Sequence, residues 1–275
     1  MKLKELPLSW WTAHQLNRTN IHALHDKAST HLPVIVSLTS IPARLGIIHL
    51  TIRSLLAQSH QPKKIILWLN KELEGTLPKS LTSLEGNLFE VRFKDLTCPH
   101  RKLIFSLEEY PNYTIVTCDD DLMYNSSWLH RLYEDHLRYP KDVIAHECRL
   151  IKFTTTGELA PYDQWKTEER TNLSEPWLMP IGYGGVLYPP HCLYNDVQNR
   201  ELFLKLTPRA DDLWFKAMSH LAGTATRRSS NPGQKPIPII GSQKESLKKT
   251  NVRGTGNYDQ WLALANHYQL HQQHN

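Results

Sequence analysis

The sequence predicts a single α/β domain, with a mostly parallel sheet flanked by helices. Two observations indicate this fold class. Short apolar runs rich in β-branched residues alternate with helical patterns along the first half of the chain, and no linker rich in proline, glycine or serine divides the 275 residues. A chain of this length can bury one large core, so one domain is enough to account for it.

In the first half, predicted strands and helices alternate. Apolar or alternating runs predict strands at 33–40, 63–70, 88–96 and 113–118. Apolar residues at helical spacing predict helices over 46–59, 101–111 and 126–140. Because strands joined by helical crossovers run parallel, this alternation favours a parallel sheet with helices on both faces.

The rhythm changes after about residue 145. The segment "VIAHECRLIKF" predicts one or two strands, and residues 157–180 have a loop-like composition. A helix is predicted over 210–223, a short strand at "IPIIGS" and a closing helix at "YDQWLALANHYQL". We therefore expect a second half that is less regular than the first.

Composition restricts the partners and the location. The net charge is +5, which favours anionic partners such as a nucleotide diphosphate, an acidic glycan or an anionic membrane face, and no motif indicates nucleic-acid binding. No apolar run approaches the length of a membrane span, and the first twenty residues lack the apolar stretch of a secretory signal. Four scattered cysteines fit reduced thiols. These features together predict a cytoplasmic protein.

Three adjacent carboxylates, Asp119 to Asp121, follow the predicted strand "YTIVTC". Ligands of open α/β sheets bind beyond the carboxyl ends of the strands. Adjacent carboxylates repel one another, and a divalent cation such as Mg²⁺ or Mn²⁺ removes that repulsion. A metal site is the favoured interpretation. A solvated acidic turn before a helix is the alternative.

A second acidic pair, Asp211 and Asp212, begins the helix in "ADDLWF". Carboxylates at this position are stabilised by the helix dipole, which is a sufficient structural reason for them. The functional interpretation is that one of the two accepts the proton of an attacking hydroxyl group.

Four segments carry a resemblance to a known family: "VIVSLTSIPARLGIIHLTIRSLLAQSHQPKKIILWLN", "YTIVTCDDDLMY", "IGYGGVLYPP" and "ADDLWF". Their order and spacing resemble the GT-A-fold glycosyltransferases, with the bacterial family-2-like enzymes that build surface polysaccharides as the nearest class. The resemblance covers roughly residues 33–265. It implies an N-terminal arm at 1–32 and a GT-A (Rossmann-like) domain at 33–275. Within that domain, 33–145 form the nucleotide-binding half and 146–275 the acceptor-binding half.

The resemblance also implies roles for individual residues. Asp121 is the direct metal ligand of the DxD motif, Asp119 is a second ligand, and Asp119 or Asp120 faces the ribose or a metal-bound water. Asp212 is the catalytic base, with Asp211 as the close alternative. The remaining residues expected to contact the nucleotide sugar are Thr39, Ser40, Ile41, Pro42, Arg44, Lys102, Gly184 and Gly185. The acidic residue that usually follows the family's second strand is absent, since Asn70 stands there.

The expected function is a metal-dependent, hexosyltransferase-like glycosyltransferase of polysaccharide biosynthesis. It would use Mn²⁺ or Mg²⁺ and move a sugar from a nucleotide-diphosphate sugar to a hydroxyl of a surface glycan, such as capsule or lipopolysaccharide. Inversion with an aspartate base is favoured, and retention stays open. The alternatives are a nucleotidyltransferase and a non-catalytic glycan-binding protein with a degenerate site. A nucleotidyltransferase usually has a glycine-rich, basic loop after its first strand, and "SLTSIPARLG" has only one glycine and one basic residue there, which argues against that activity.

Two segments outside these motifs carry further expectations. The basic residues of 241–257, which are Lys244, Lys248, Lys249 and Arg253, are expected to close over the diphosphate and exclude water. The adjacent tryptophans of "LPLSWWTAHQL" suggest peripheral membrane contact at the inner face of the cell membrane, where a glycan acceptor linked to lipid would lie.

Overall fold

A seven-stranded sheet forms the centre of the fold. The computed structural model describes residues 3–25, 30–242 and 256–270. The strands are β1 (His31–Thr39), β2 (Gln61–Asn70), β3 (Phe89–Lys94), β4 (Thr114–Thr117), β5 (Leu122–Met123), β6 (Val143–Ala145), β7 (Cys148–Leu150), β8 (Thr167–Glu168), β9 (Leu178–Pro180), β10 (Val186–Tyr188), β11 (Thr226–Arg228) and β12 (Ile237–Pro238). The helices are α1 (Leu6–Arg18), α2 (Ile21–His25), α3 (His49–Leu56), α4 (Lys79–Thr82), α5 (Arg101–Glu109), α6 (Trp128–Arg138), α7 (Arg200–Leu206), α8 (Asp211–Leu221) and α9 (Gly256–Tyr268).

The central sheet has the strand order β11-β6-β10-β4-β1-β2-β3. Its strands pair in parallel except β10, which is antiparallel to both β4 and β6. Two small sheets, β12-β5 and β8-β7-β9, lie outside it. The prediction of a mostly parallel sheet flanked by helices is confirmed.

The sheet is buried on both faces because its central strands are apolar at successive positions. In β1, Val34 and Val36 pack into one core layer with α3 and α6, while Ile35 points into the other layer with α5, α8 and α9. In β2 the run from Ile65 to Leu69 is completely buried. Crossover helices on both faces require strands of this composition.

Every strand and helix predicted in the first half is present, with ends that shift by a few residues. The segment "VIAHECRLIKF" contains two strands, β6 and β7, and the region expected to be a loop contains the short strands β8 and β9. The predicted strand at "IPIIGS" exists as β12, but it pairs with β5 outside the central sheet. Helix α1 was not predicted, because the apolar residues between positions 6 and 18 do not recur at the spacing that places them on one face of a helix.

All four cysteines are buried and unpaired. Within the described part of the chain, no helix combines the length and the apolar composition that a membrane crossing requires.

Helix α8 buries Lys216 almost completely, with 1% of its surface exposed. Its ammonium group donates to the Thr226 hydroxyl at 3.4 Å, and none of the ion pairs among the described residues includes it. Burial lowers the pKa of Lys216 to about 8, because the interior disfavours the charged form.

We expect Lys216→Met to raise the free energy of unfolding at pH 7 by about 1–3 kcal/mol, because methionine fills similar space without a buried charge. The folded pKa lies below the ordinary 10.5, so the unfolded chain binds the extra proton between the two values. The stability penalty of the lysine is therefore full below about pH 8 and disappears toward pH 10.5, and the advantage of methionine should shrink over that window. Urea unfolding at several pH values measures this.

Lys205→Met is the matched control, since Lys205 is exposed on α7 and should change stability little. A lower free energy of unfolding for Lys216→Met at pH 7 would contradict the prediction.

Candidate functional site

The site lies at the carboxyl edge of the central sheet, where two neighbouring strands end. Strands β1 and β4 pair in parallel, so the residues that follow them lie side by side. Ser40 follows β1 and Asp119 to Asp121 follow β4. The Ser40 hydroxyl donates to the Asp120 carboxylate at 2.5 Å, which joins the two loops directly.

Asp120 is the most buried carboxylate of the three that follow β4 and is held by several hydrogen bonds. Besides Ser40, its carboxylate binds the Arg44 guanidinium at 2.5 Å, and its backbone carbonyl accepts from Thr51 at 2.9 Å. Burial raises its pKa even though Arg44 and Ser40 oppose the shift. Arg44 also reaches Asp121 at 3.3 Å, so one guanidinium bridges two carboxylates. Asp120 therefore fixes the shape of the loop.

Lys102 lies at the centre of a second group of carboxylates. Its side chain comes from the first turn of α5 and is buried, and its ammonium group lies 3.1 Å from Asp119 and 2.9 Å from Asp211. Burial alone would lower the pKa of Lys102, but the charges of Asp119, Asp211 and Asp212 outweigh burial and raise it well above the ordinary value. Lys102 is thus a permanent cation that links β4 to α8.

Asp211 and Asp212 occupy the first turn of α8, as predicted, but their surroundings differ. Burial opposes ionisation of Asp211, yet Lys102 overcomes this and lowers its pKa. Asp212 accepts the Gly182 backbone N–H at 3.1 Å with both carboxylate oxygens. Burial, and then the negative charge of Asp211, raises the pKa of Asp212 to about 7. Two neighbouring carboxylates with separated pKa values can divide the work of charge stabilisation and proton transfer.

The glycine of the "IGYGG" segment that meets these side chains is Gly182. A Cβ atom there would lie 2.8 Å from the Lys102 ammonium and 2.9 Å from the Asp212 carboxylate. At Gly184 a Cβ would strike Glu147, and at Gly185, which has φ +99°, it would strike the Trp128 indole. Gly184 and Gly185 therefore face packed protein groups, and their assignment to the nucleotide sugar stays a prediction.

Sequence reasoning missed Glu147, which borders the same segment. The Glu147 carboxylate is buried and accepts from the Tyr183 hydroxyl at 2.8 Å and from Lys235 at 3.1 Å. The Tyr183 carbonyl in turn accepts from the Tyr124 hydroxyl, to which the Asp119 N–H donates. No local pattern in "HEC" indicates this network, because its partners lie far away along the chain.

The other predicted residues lie around the same edge. The Thr39 hydroxyl donates to the Trp68 carbonyl and accepts from Arg101, while Ile41 and Pro42 are exposed at the rim. The basic residues of the proposed closing segment, which are Lys244, Lys248, Lys249 and Arg253, lie outside the described residues.

The two carboxylates that could hold a divalent cation are Asp119, which pairs with Lys102, and Asp121, which pairs with Arg44. About a third of the Asp119 side chain is exposed. Burial and the charge of Asp119 raise the pKa of Asp121 to about 7, so a cation between the two would relieve an existing repulsion. The described residues contain no group of three or more metal-ligating side chains at one point. Mg²⁺ and Mn²⁺ complete their shells with water and substrate phosphates, so two carboxylates fit such an ion.

No protein-family model matches the sequence, and no curated protein is significantly similar to it. Solved structures are similar in fold. TarS from S. aureus, residues 1–349 in complex with UDP, superposes with a TM-score of 0.50 at 15% identity, over 74% of this chain and 59% of that chain. The chain has the same α/β architecture as that structure, and it spans about three fifths of its length.

Two further structures superpose more distantly. A 4-diphosphocytidyl-2C-methyl-D-erythritol synthase from Anaerococcus prevotii has a TM-score of 0.47 at 12% identity, over 91% of this chain and 100% of that one. A CMP:2-keto-3-deoxy-manno-octonic acid synthetase complexed with CTP has a TM-score of 0.47 at 11% identity, over 82% and 98%. At these values, neither likeness bears on the function of this chain.

Lys102→Met should destabilise the fold by about 3–5 kcal/mol at neutral pH, because it leaves buried carboxylates without their cation. Adding Asp211→Asn to this variant should recover part of the loss, since one of the stranded charges is then removed. Denaturant unfolding of the single and double variants measures both effects.

Lys94→Met is the control, because it breaks a pair with Glu109 at 3.2 Å in which a third of the lysine side chain is exposed, and it should cost less than about 1 kcal/mol. Equal losses for the Lys102 and Lys94 variants would show that the buried pair does not hold the site together.

Proposed function

We propose that the protein is a glycosyltransferase that moves a sugar from a nucleotide-diphosphate sugar to a hydroxyl group of a glycan. The observation that carries this proposal is the meeting of two acidic motifs, Asp119 to Asp121 and Asp211 to Asp212, around Lys102 at the carboxyl edge of the sheet. Carboxylates from the two halves of the chain thus lie around the same ammonium group, and we propose that the donor and the acceptor react beside them.

The shared fold supports a nucleotide as the donor. TarS has the same architecture and was crystallised with UDP. In open α/β sheets a nucleotide binds beyond the carboxyl ends of the strands, and this is the edge that carries Ser40 and Asp119. The exposed Ile41 and Pro42, next to Arg44, are suited to flank a base and ribose there.

The donor diphosphate would be held with Mn²⁺ or Mg²⁺ by Asp121 and Asp119. The ion, when bound, offsets the negative charge that develops on the departing nucleotide. Arg44 keeps Asp120 and Asp121 in place, and Tyr124 fixes the backbone at Asp119 through its hydroxyl group. The protein therefore presents this pair of carboxylates in a fixed arrangement.

Asp212 is the proposed catalytic base. The Gly182 N–H orients its carboxylate, and its pKa is raised to about 7, which is close to the pH of a cell. A group with this pKa can accept the proton of the acceptor hydroxyl as that hydroxyl attacks the sugar. Asp211 stays ionised beside Lys102 and serves as the fixed neighbouring charge. In-line attack assisted by such a base inverts the configuration at the sugar carbon.

The acceptor is proposed from the resemblance of the motifs to enzymes of surface-polysaccharide biosynthesis. A growing surface glycan, such as capsule or lipopolysaccharide, is the expected substrate class, and a hexose is the expected sugar. A nucleotidyltransferase would instead bind a nucleoside triphosphate, so nucleotide binding separates the two activities.

A calorimetric titration with UDP, GDP, TDP, CMP and CTP, with and without Mn²⁺, tests the donor site. We expect one diphosphate to bind in the presence of Mn²⁺ and at least tenfold more weakly without it, because the carboxylates of Asp119 and Asp121 repel an unchelated diphosphate. Asp121→Ala should abolish the dependence on metal.

Asp95→Ala is the matched control, since Asp95 is exposed and lies outside the site. Binding of CTP in preference to every diphosphate would favour a nucleotidyltransferase. A folded protein that binds no nucleotide would overturn the proposal.

The pH profile of the transferase reaction tests Asp212. The base must be ionised, and its pKa is raised to about 7, so kcat/KM should fall about tenfold per pH unit below that value. Asp212→Asn should reduce kcat by about 10²–10⁴-fold. Asp211→Asn removes the charge that raises the pKa of Asp212, and the acidic limb should therefore move to lower pH. An unchanged acidic limb in Asp212→Asn would assign the proton transfer to another group.

A further inference from the structure

Helix α1 presents large apolar side chains to solvent. Trp10 is 63% exposed, Trp11 is 56% exposed and Leu8 is 52% exposed. Three such side chains within four residues are unusual on a water-facing helix, and exposed apolar patches of this kind often mark interaction surfaces.

The opposite side of α1 is firmly attached to the domain. The Ser9 hydroxyl donates to the Pro238 carbonyl at 2.6 Å, and the Arg53 guanidinium donates to the Leu16 and Thr19 carbonyls at 2.9 Å each. Ala13 and Leu16 pack against a buried cluster of Leu50, Met123 and Ile239. The outward tryptophans are therefore held in a fixed orientation.

This helix adjoins the site through two short strands. It contacts β12, which pairs with β5, and β5 directly follows Asp121. The Ile239 N–H donates to the Asp121 carbonyl at 3.0 Å. Among the described residues, nine large apolar side chains are exposed, and five of them lie on α1 or on the segments that border the carboxylate loop. Those five are Leu8, Trp10, Trp11, Ile41 and Ile240.

The charges on α1 suit an anionic surface. Lys4 and Arg18 stand near its two ends and are exposed, while Glu5 is the one acidic residue of residues 4–18. Tryptophan favours the boundary between water and acyl chains, and nearby basic residues are attracted to acidic headgroups. The helix is too short to span a bilayer, but its length is sufficient to lie along the surface.

We infer that α1, together with Ile41 and Ile240, docks the protein on an anionic phospholipid bilayer, with the mouth of the carboxylate site close to the membrane plane. Docking itself does not depend on the proposed function. That the site takes its acceptor from the bilayer does rest on the proposed transferase activity, because a membrane-attached glycan would then meet Asp212 without leaving the surface.

Co-sedimentation with vesicles tests the docking. We expect the full chain to sediment with vesicles of phosphatidylcholine and phosphatidylglycerol, and at least tenfold less with phosphatidylcholine alone. Trp10→Ser/Trp11→Ser should reduce binding to the acidic vesicles about tenfold or more, and Lys4→Glu/Arg18→Glu should reduce it while leaving the apolar face intact.

Leu204→Ser/Leu262→Ser is the matched control, because both side chains are about 40% exposed on other helices. Nucleotide binding in solution should be unchanged in the tryptophan variant, so loss of vesicle binding with intact nucleotide binding isolates the docking surface. Equal sedimentation of the tryptophan and control variants would overturn the inference. So would a dimer that dissociates in the tryptophan variant without any vesicle binding, since a second copy of the chain would then be the occupant.

Discussion

The rest of the site depends on the ion pairs that the buried ammonium group of Lys102 forms with Asp119 and Asp211. Asp119 comes from the end of β4 and Asp211 from the start of α8, and the Lys102 ammonium group lies 3.1 Å from the first carboxylate and 2.9 Å from the second, where it offsets their repulsion. Helix α5, which supplies Lys102, is itself fixed by buried hydrogen bonds. The Ser37 hydroxyl donates to the Lys102 carbonyl and contacts the Ser106 hydroxyl, and the Trp68 indole donates to Ser106. The position of the cation is thus set by strands β1 and β2.

One consequence is that two carboxylates in the same helical turn have different chemistry. Lys102 lies against Asp211 and holds it ionised, so that the charge of Asp211 then acts on Asp212 and favours its protonated form. The Gly182 N–H keeps the Asp212 carboxylate oriented, and a Cβ atom at that position would force the Lys102 or Asp212 side chain to shift. Separated pKa values and a fixed orientation are the properties that suit Asp212 to the proton-accepting role proposed for it.

Local patterns in the sequence were sufficient to predict the mostly parallel character of the sheet, its strands β1 to β4, and the positions of the two acidic motifs after β4 and in the first turn of α8. Strands β10 and β11 of the central sheet were not predicted. The β-branched run of β1 and the apolar run of β2 are typical of strands that are buried on both faces of a parallel sheet. The missed features depend on contacts between distant residues. Glu147 meets Tyr183 and Lys235, and the hydroxyl of Ser9 meets Pro238, at separations of up to 229 residues. Likewise, "IGYGG" shows that glycines are needed, but only the packing shows that Gly182 is the one that faces the carboxylates.

The charge balance of the site constrains how a nucleotide could enter it. Five carboxylates, Asp119 to Asp121 with Asp211 and Asp212, face two paired cations, Arg44 and Lys102, and 5 − 2 leaves an excess of three negative charges when all are ionised. Arg101 offsets part of this excess, because its charge acts on Asp120 although its guanidinium donates to the Thr39 hydroxyl and the Leu96 and Ser40 carbonyls. A free diphosphate would add further negative charge to a partly buried, low-dielectric region, which is costly. A diphosphate that arrives as its complex with a divalent cation brings little net charge, and protonation of Asp212 lowers the excess further. On this basis, metal and nucleotide should bind together, and each should strengthen the binding of the other.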